Sequence, residues 1–259
     1  MNAVDAYLAE YGRGEQDLLH GDRLNGGGAF DGERELVEIA DQAYDTDQHG
    51  VFRIRPEESA LLVIDMQEDL VDPAGPMCVP EAYRQVPRIK QLVQHCRGAD
   101  VPVIFTEVTI PDDAPHLYRE FFPPLGEGAV REGAPGARVY HELAPQPDER
   151  IIDTKFGFDS FSGTPLDYVL RQRGVRTVII CGTLTNFCCE TTARSAYGHG
   201  YQVVFGSDVN ATDNAEAQRA TIRTLRRGFG RVMDHQAILG ALDGRDDAFE
   251  AATSVFDAS

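Results

Sequence analysis

From about residue 60 onward the chain alternates between two textures. Short runs that are apolar at nearly every position, ALLVID (60–65), PVIFTEV (102–108), RIIDT (150–154), TVIICG (177–182), YQVVFGSD (201–208) and RVMD (231–234), are separated by stretches with apolar residues three and four apart. Runs that are apolar on both faces fit strands covered on both sides, and the periodic stretches, roughly 81–98, 165–173, 187–198 and 214–228, fit amphipathic helices. The alternation predicts an α/β fold, a three-layer α-β-α sandwich around a central, mostly parallel sheet.

Three regions fall outside this pattern. Residues 1–55 are polar, contain the breaker cluster NGGG and have too few apolar positions for a core of their own, so they read as an N-terminal arm with one or two short helices. The insertion 111–146, rich in Pro and Gly with an aromatic EFFPP segment, is too long for a connector and reads as a lid. Residues 243–259 form an acidic tail, which leaves 56–242 as the folded domain.

Charge narrows the choice of partners. A net charge of -18 repels nucleic-acid phosphate and anionic lipid, and no apolar stretch approaches bilayer-spanning length. The expectation is a cytoplasmic protein with a small-molecule partner, neither nucleic acid nor membrane. Five cysteines without an export signal do not read as a disulfide framework, so reduced thiols are expected and one of them is free to react.

Ligands of an open parallel sheet bind beyond the carboxyl ends of its strands. Three strands end there in polar groups: ALLVID in Asp65, RIIDT in the following Lys155, and TVIICG, after a short turn, in Cys188. Taken singly, Asp65 reads equally as a turn cap, Lys155 as a solvated lysine and Cys188 as a small buried hydrophobe. Together they bring a carboxylate, an ammonium and a thiol to one edge, a nucleophilic site in which the cation favours thiolate and the carboxylate accepts its proton.

The adjacent cysteines differ by position. With Thr185 or Asn186 as N-cap, a helix starting near Phe187 puts Cys188 in its first turn, where unpaired N–H groups and the positive dipole end lower a thiol pKa. Cys189 shares a helix face with Ala193 and Ala196 and reads as packing.

Three motifs in order resemble the isochorismatase-like cysteine hydrolases, the family of nicotinamidases, N-carbamoylsarcosine amidohydrolase, and biuret and ureidoacrylate amidohydrolases. They are LLVIDMQEDLVDP with Asp65, DTKFGFDSFSGTPLDYVL with Lys155, Ser160, Phe161, Thr164 and Leu166, and GTLTNFCCETTARSA with Cys188. The resemblance covers about residues 57–242. It implies that Cys188 attacks an amide or ureide carbonyl, that Asp65 takes the thiol proton, and that Lys155 orients Asp65 and favours thiolate. It further implies a cis peptide between Thr183 and Leu184, an oxyanion hole made of the backbone N–H groups of Leu184 and Cys188, a thioester, release of ammonia or an amine, and assembly as a dimer or tetramer.

Departures from the family pattern bear on the substrate. Isochorismatases proper lack the cysteine, so Cys188 favours C–N over ether cleavage. Metal-binding nicotinamidases carry an Asp-x-His pair and a further His, whereas TEVTIPDDAPHLYREFFPP offers only His116, so neither metal nor other cofactor is expected. The segment 145–186 most resembles the ureidoacrylate and biuret branch, which points to a small amide, carbamoyl or ureide substrate. Gln67, two residues beyond Asp65, points to the same side of an extended strand, toward substrate or the carboxylate, and Phe158 supplies an apolar wall. The competing readings are an isochorismatase-like hydrolase of secondary metabolism that cleaves an ether or unusual amide, and a non-catalytic interaction scaffold.

Overall fold

The computed structural model describes residues 52–113, 120–246 and 249. The arm expected at 1–55 lies outside them except for its last four residues, as do His116 and most of the tail. Six strands, β1 (Ser59–Ile64), β2 (Val103–Val108), β3 (Arg150–Lys155), β4 (Thr177–Thr183), β5 (Gln202–Ala211) and β6 (Arg231–Met233), form one sheet in the order β3-β2-β1-β4-β5-β6, and every pairing is parallel. The chain winds outward from β1 to β3, then returns to lay β4 against the other side of β1. The strand order therefore reverses between β1 and β4, which makes the carboxyl ends of these two strands the topological switch point.

Five helices cover the sheet: α1 (Pro80–Gly98), α2 (Leu166–Gln172), α3 (Glu190–Gly198), α4 (Ala215–Gly228) and α5 (His235–Leu242). Strand β1 shows why both layers are needed. Its Leu61 and Val63 pack into the core shared with α1 and α5, and Ala60, Leu62 and Ile64 pack into the core shared with α2, α3 and α4. An alternation that buries both faces specifies its register strongly, because a one-residue slip exchanges the two sets.

Several boundaries differ from the sequence expectation. Strand β5 runs three residues beyond Asp208 across a register shift opposite Ile180 and Gly182, where the Asn210 amide donates to the carbonyls of Ile180 (2.9 Å) and Gly206 (2.7 Å) and stands in for ladder bonds. Helix α5 has no counterpart in the sequence reading, although Asp234 caps it by accepting from the Ala237 N–H at 2.8 Å. The insertion is not a free lid throughout. Val130, Ala137, Val139, Tyr140 and Leu143 are buried in the core, while Phe121, Phe122 and the short helix Pro123–Gly126 stand at the rim of a cavity.

Asp246, placed in the tail by composition, is buried and takes two hydrogen bonds from Arg231 of β6, both 2.7 Å. Arg231 also donates to the carbonyl of Phe52 at 2.7 Å, so one guanidinium ties together the two ends of the described fold. Among the described residues no helix is long and apolar enough to cross a membrane.

Candidate functional site

Asp65, Lys155 and Cys188 meet beyond the carboxyl ends of β1, β3 and β4. The Lys155 ammonium donates to Asp65 Oδ2 at 2.5 Å and lies 3.4 Å from Cys188 Sγ. Asp65 and Lys155 are buried, and Cys188 retains 6% of its surface, exposed into a cavity of about 490 Å³. The thiol is thus the member of the trio that a ligand can reach.

Local backbone chemistry holds this arrangement. Asp65 has φ +48°, a left-handed conformation that Asp tolerates better than a β-branched residue, and this turn ends β1. Its N–H donates to Thr106 Oγ1 at 3.1 Å, and the same hydroxyl donates to Asp65 Oδ1. On the other side of β1, Gly182 has φ +136°, and a Cβ there would stand 2.0 Å from the Ile64 carbonyl oxygen. Only glycine allows β4 to pass this close to the residue preceding Asp65.

The turn after β4 differs from the helix start expected at Phe187. The bond between Thr183 and Leu184 is cis. Residues Thr185–Cys189 then form a π-helical turn, and α3 begins at Glu190. The Leu184 carbonyl accepts from the N–H groups of Phe187 and Cys189, both 3.1 Å, and skips that of Cys188, its usual α-helical partner. The extra residue in the turn thereby leaves the Cys188 N–H without its α-helical acceptor. Neither expected N-cap acts as one. The Thr185 hydroxyl is buried without a partner among the described residues, and Asn186 Oδ1 accepts from Thr212 at 2.6 Å.

Electrostatics correct a second expectation. Burial pushes the Cys188 thiol up to about 12; the Asp65 charge adds to the rise, and Lys155 opposes it without winning. The resting group is a thiol rather than the thiolate that its helix position and neighbouring cation suggested. Lys155 moves the other way: burial alone would favour the neutral amine, but the Asp65 carboxylate beside it outweighs burial and holds it above its ordinary value, charged. Cys189 is fully buried and its thiol is raised by desolvation, in keeping with a packing role.

Gln67 does not point at the trio. Its amide donates to the carbonyls of Val108 (2.8 Å) and Ala137 (2.7 Å) and accepts from the Val108 N–H (3.0 Å). The period-two inference fails because the strand already ends at Ile64 and the left-handed Asp65 turns the chain. Phe158, by contrast, lines the cavity beside Cys188, together with Phe187 and Phe122. Thr106, Phe122 and Phe187 were not singled out in the sequence, although Thr106 stands out as a hydroxyl within the apolar strand PVIFTEV. Ser160 and Thr164 brace the loop that carries Phe158: the Thr192 hydroxyl of α3 donates to Ser160 Oγ (2.8 Å), and Thr164 donates to the Ser160 carbonyl (2.6 Å). No group of three or more His, Cys, Asp or Glu able to hold a metal ion occurs among the described residues.

The Isochorismatase domain model matches residues 59–237, which span every strand described above. The chain belongs to the isochorismatase family. Its relatives within the isochorismatase-like cysteine hydrolases include Nicotinamidase 3 of Arabidopsis thaliana, 33% identical over 193 residues, which make up 72% of this chain and 89% of that one. Streptothricin hydrolase of Streptomyces noursei is 34% identical over 160 residues, 61% of this chain and 56% of that one. Among solved structures, a cysteine hydrolase from Pseudomonas syringae pv. phaseolicola superposes with a TM-score of 0.72 at 31% identity and covers 77% of this chain and 99% of its own.

Proposed function

We propose that this isochorismatase-family protein is a thiol amidohydrolase that cleaves the C–N bond of a small amide, carbamoyl or ureide substrate. The observation that carries the reading is the Lys155 ammonium, which contacts the Asp65 carboxylate and the Cys188 sulfur at once while only the sulfur reaches the cavity. Relatives named as a nicotinamidase and a streptothricin hydrolase support hydrolysis.

The raised thiol pKa sets the order of events. Cys188 Sγ attacks the carbonyl carbon as its proton passes to Asp65, the carboxylate that shares the Lys155 ammonium with the sulfur. Lys155 stays protonated and offsets the negative charge that moves between carboxylate and sulfur. The backbone N–H groups of Leu184 and Cys188 hold the tetrahedral oxyanion. Collapse breaks the C–N bond, the leaving nitrogen takes the proton from Asp65, and an acyl thioester remains on Cys188. Asp65 then removes a proton from water, the hydroxide attacks the thioester, and the acid leaves as Cys188 regains its proton.

The test is ammonia release from a panel of small amides, carbamoyl amino acids and ureides, with wild type beside Cys188→Ala. Release by wild type alone is the expected result. Equal release by both proteins would remove Cys188 from the reaction.

A further inference from the structure

The loops that deliver two members of the trio also deliver aromatic rings to the same cavity. Phe158 lies three residues after Lys155, and Phe187 immediately precedes Cys188; their ring centroids are 5.2 Å apart. Phe122, from the insertion, closes the third side with edge-on contacts to Phe158 (6.0 Å) and Phe187 (5.8 Å). Val108 and Leu184 extend this wall. A cavity of about 490 Å³ exceeds what the smallest amides and ureides fill and lies in the range that takes a larger, mostly apolar ligand.

Charge argues in the same direction. Among the described lining residues none is Lys, Arg or His, and the one acidic residue is Asp213. The nearest ammonium, Lys155, is buried and engaged by Asp65. A carboxylate on the substrate would leave water for an apolar wall, which is costly without a partner.

We infer that the cavity above Cys188 is an acyl pocket, and that the preferred substrate is a primary amide whose acyl group is bulky, uncharged and apolar, aryl-alkyl in kind, rather than a carbamoyl amino acid, ureidoacrylate or biuret. This assignment rests on the amidohydrolase reading and narrows it. The phenyl faces and edges of Phe122, Phe158 and Phe187 hold the acyl group while the amide carbon sits over Cys188 Sγ. The products are ammonia and a hydrophobic carboxylic acid, whose new negative charge is disfavoured by the same walls and assists release.

Two measurements test this separately from the chemistry. The first is kcat/KM for ammonia release from acetamide, hexanamide, phenylacetamide and 3-phenylpropanamide, beside N-carbamoylglycine and biuret. The expected result is a rise of about tenfold or more from acetamide to the phenyl amides, with N-carbamoylglycine and biuret at or below acetamide, and a higher KM for phenylacetamide in Phe158→Ala. The second is calorimetric titration of phenylacetamide and N-carbamoylglycine into Cys188→Ala, which reads pocket chemistry without turnover. Tighter binding of phenylacetamide supports the acyl pocket even if wild type releases no ammonia, an outcome that would reject only the amidohydrolase reading. Preference for N-carbamoylglycine or biuret in either measurement, or equal treatment of acetamide and the phenyl amides, overturns the assignment.

Discussion

Thr106 and Asp65 exchange hydrogen bonds across β2 and β1: the Asp65 N–H donates to Thr106 Oγ1, and that hydroxyl donates back to Asp65 Oδ1. The hydroxyl proton and Lys155 therefore take one carboxylate oxygen each, and the carboxylate plane is fixed before any substrate arrives. The Lys155 ammonium in turn lies 3.4 Å from the Cys188 sulfur and so links the fixed carboxylate to the thiol.

Thr106→Val keeps the shape of the side chain and removes the hydroxyl. Losing a hydrogen bond to a charged group costs about 1.5–3 kcal/mol, so kcat is expected to fall about tenfold to a hundredfold with little change in KM. Thr106→Ser restores kcat. Unchanged kcat in Thr106→Val would mean that Thr106 serves packing alone.

The two charges beside Cys188 act on its thiol with opposite sign, Asp65 raising and Lys155 lowering its pKa. Asp65→Asn is therefore expected to speed alkylation of Cys188 by iodoacetamide at neutral pH while it abolishes ammonia release, because the thiol ionises more easily but no base remains to serve the attack or activate water. Lys155→Met slows both. Peptide mapping separates Cys188 from the half-buried Cys78. Slower alkylation in Asp65→Asn would show that the carboxylate holds the thiolate state rather than opposing it.

Gly182→Ala places a Cβ 2.0 Å from the Ile64 carbonyl at a φ that L-residues rarely adopt. Either β1 and β4 separate or the Asp65 turn moves. A loss of at least about 2 kcal/mol is expected from urea unfolding, together with lower activity in whatever fraction folds.

The Arg231–Asp246 pair gives stability a signed dependence on pH. Burial alone would raise the Asp246 carboxyl, but its two bonds from Arg231 hold it below the ordinary value of 3.8. A carboxyl depressed by folding adds stability that is complete above its unfolded pKa and is lost as pH falls through the folded value. Asp246→Asn is expected to cost about 3–5 kcal/mol at pH 7, and the gap to wild type narrows below about pH 4. Urea midpoints at the two pH values decide it; a gap of constant size would assign the cost to packing.

The parts of this protein that could be read from its sequence are those set by one dominant force. Runs such as ALLVID and TVIICG announce strands buried on both faces, because such runs have no solvent-facing alternative in an α/β domain. The strand-end residues Asp65, Lys155 and Cys188 follow from the geometry of a parallel sheet. Helix α5 is not legible, because AILGAL after a three-residue strand is too short for periodicity to separate from a strand, and its one clear signal is the Asp234 cap. The π-helical turn at Thr185–Cys189 was unreadable because cap chemistry does not reveal which N–H the Leu184 carbonyl will skip. The direction of the Cys188 shift is not legible in the sequence, because nearby charges are visible there and the depth of burial is not.

The most direct test of the central claim is acid quenching of wild-type enzyme during turnover of phenylacetamide, followed by mass spectrometry of the peptide that contains Cys188. The expected result is a phenylacetyl group on Cys188, present in wild type, absent in Cys188→Ala, and lost on treatment with hydroxylamine. Sustained ammonia release from Cys188→Ala at the wild-type rate, with no acyl group on Cys188 in wild type, would contradict it.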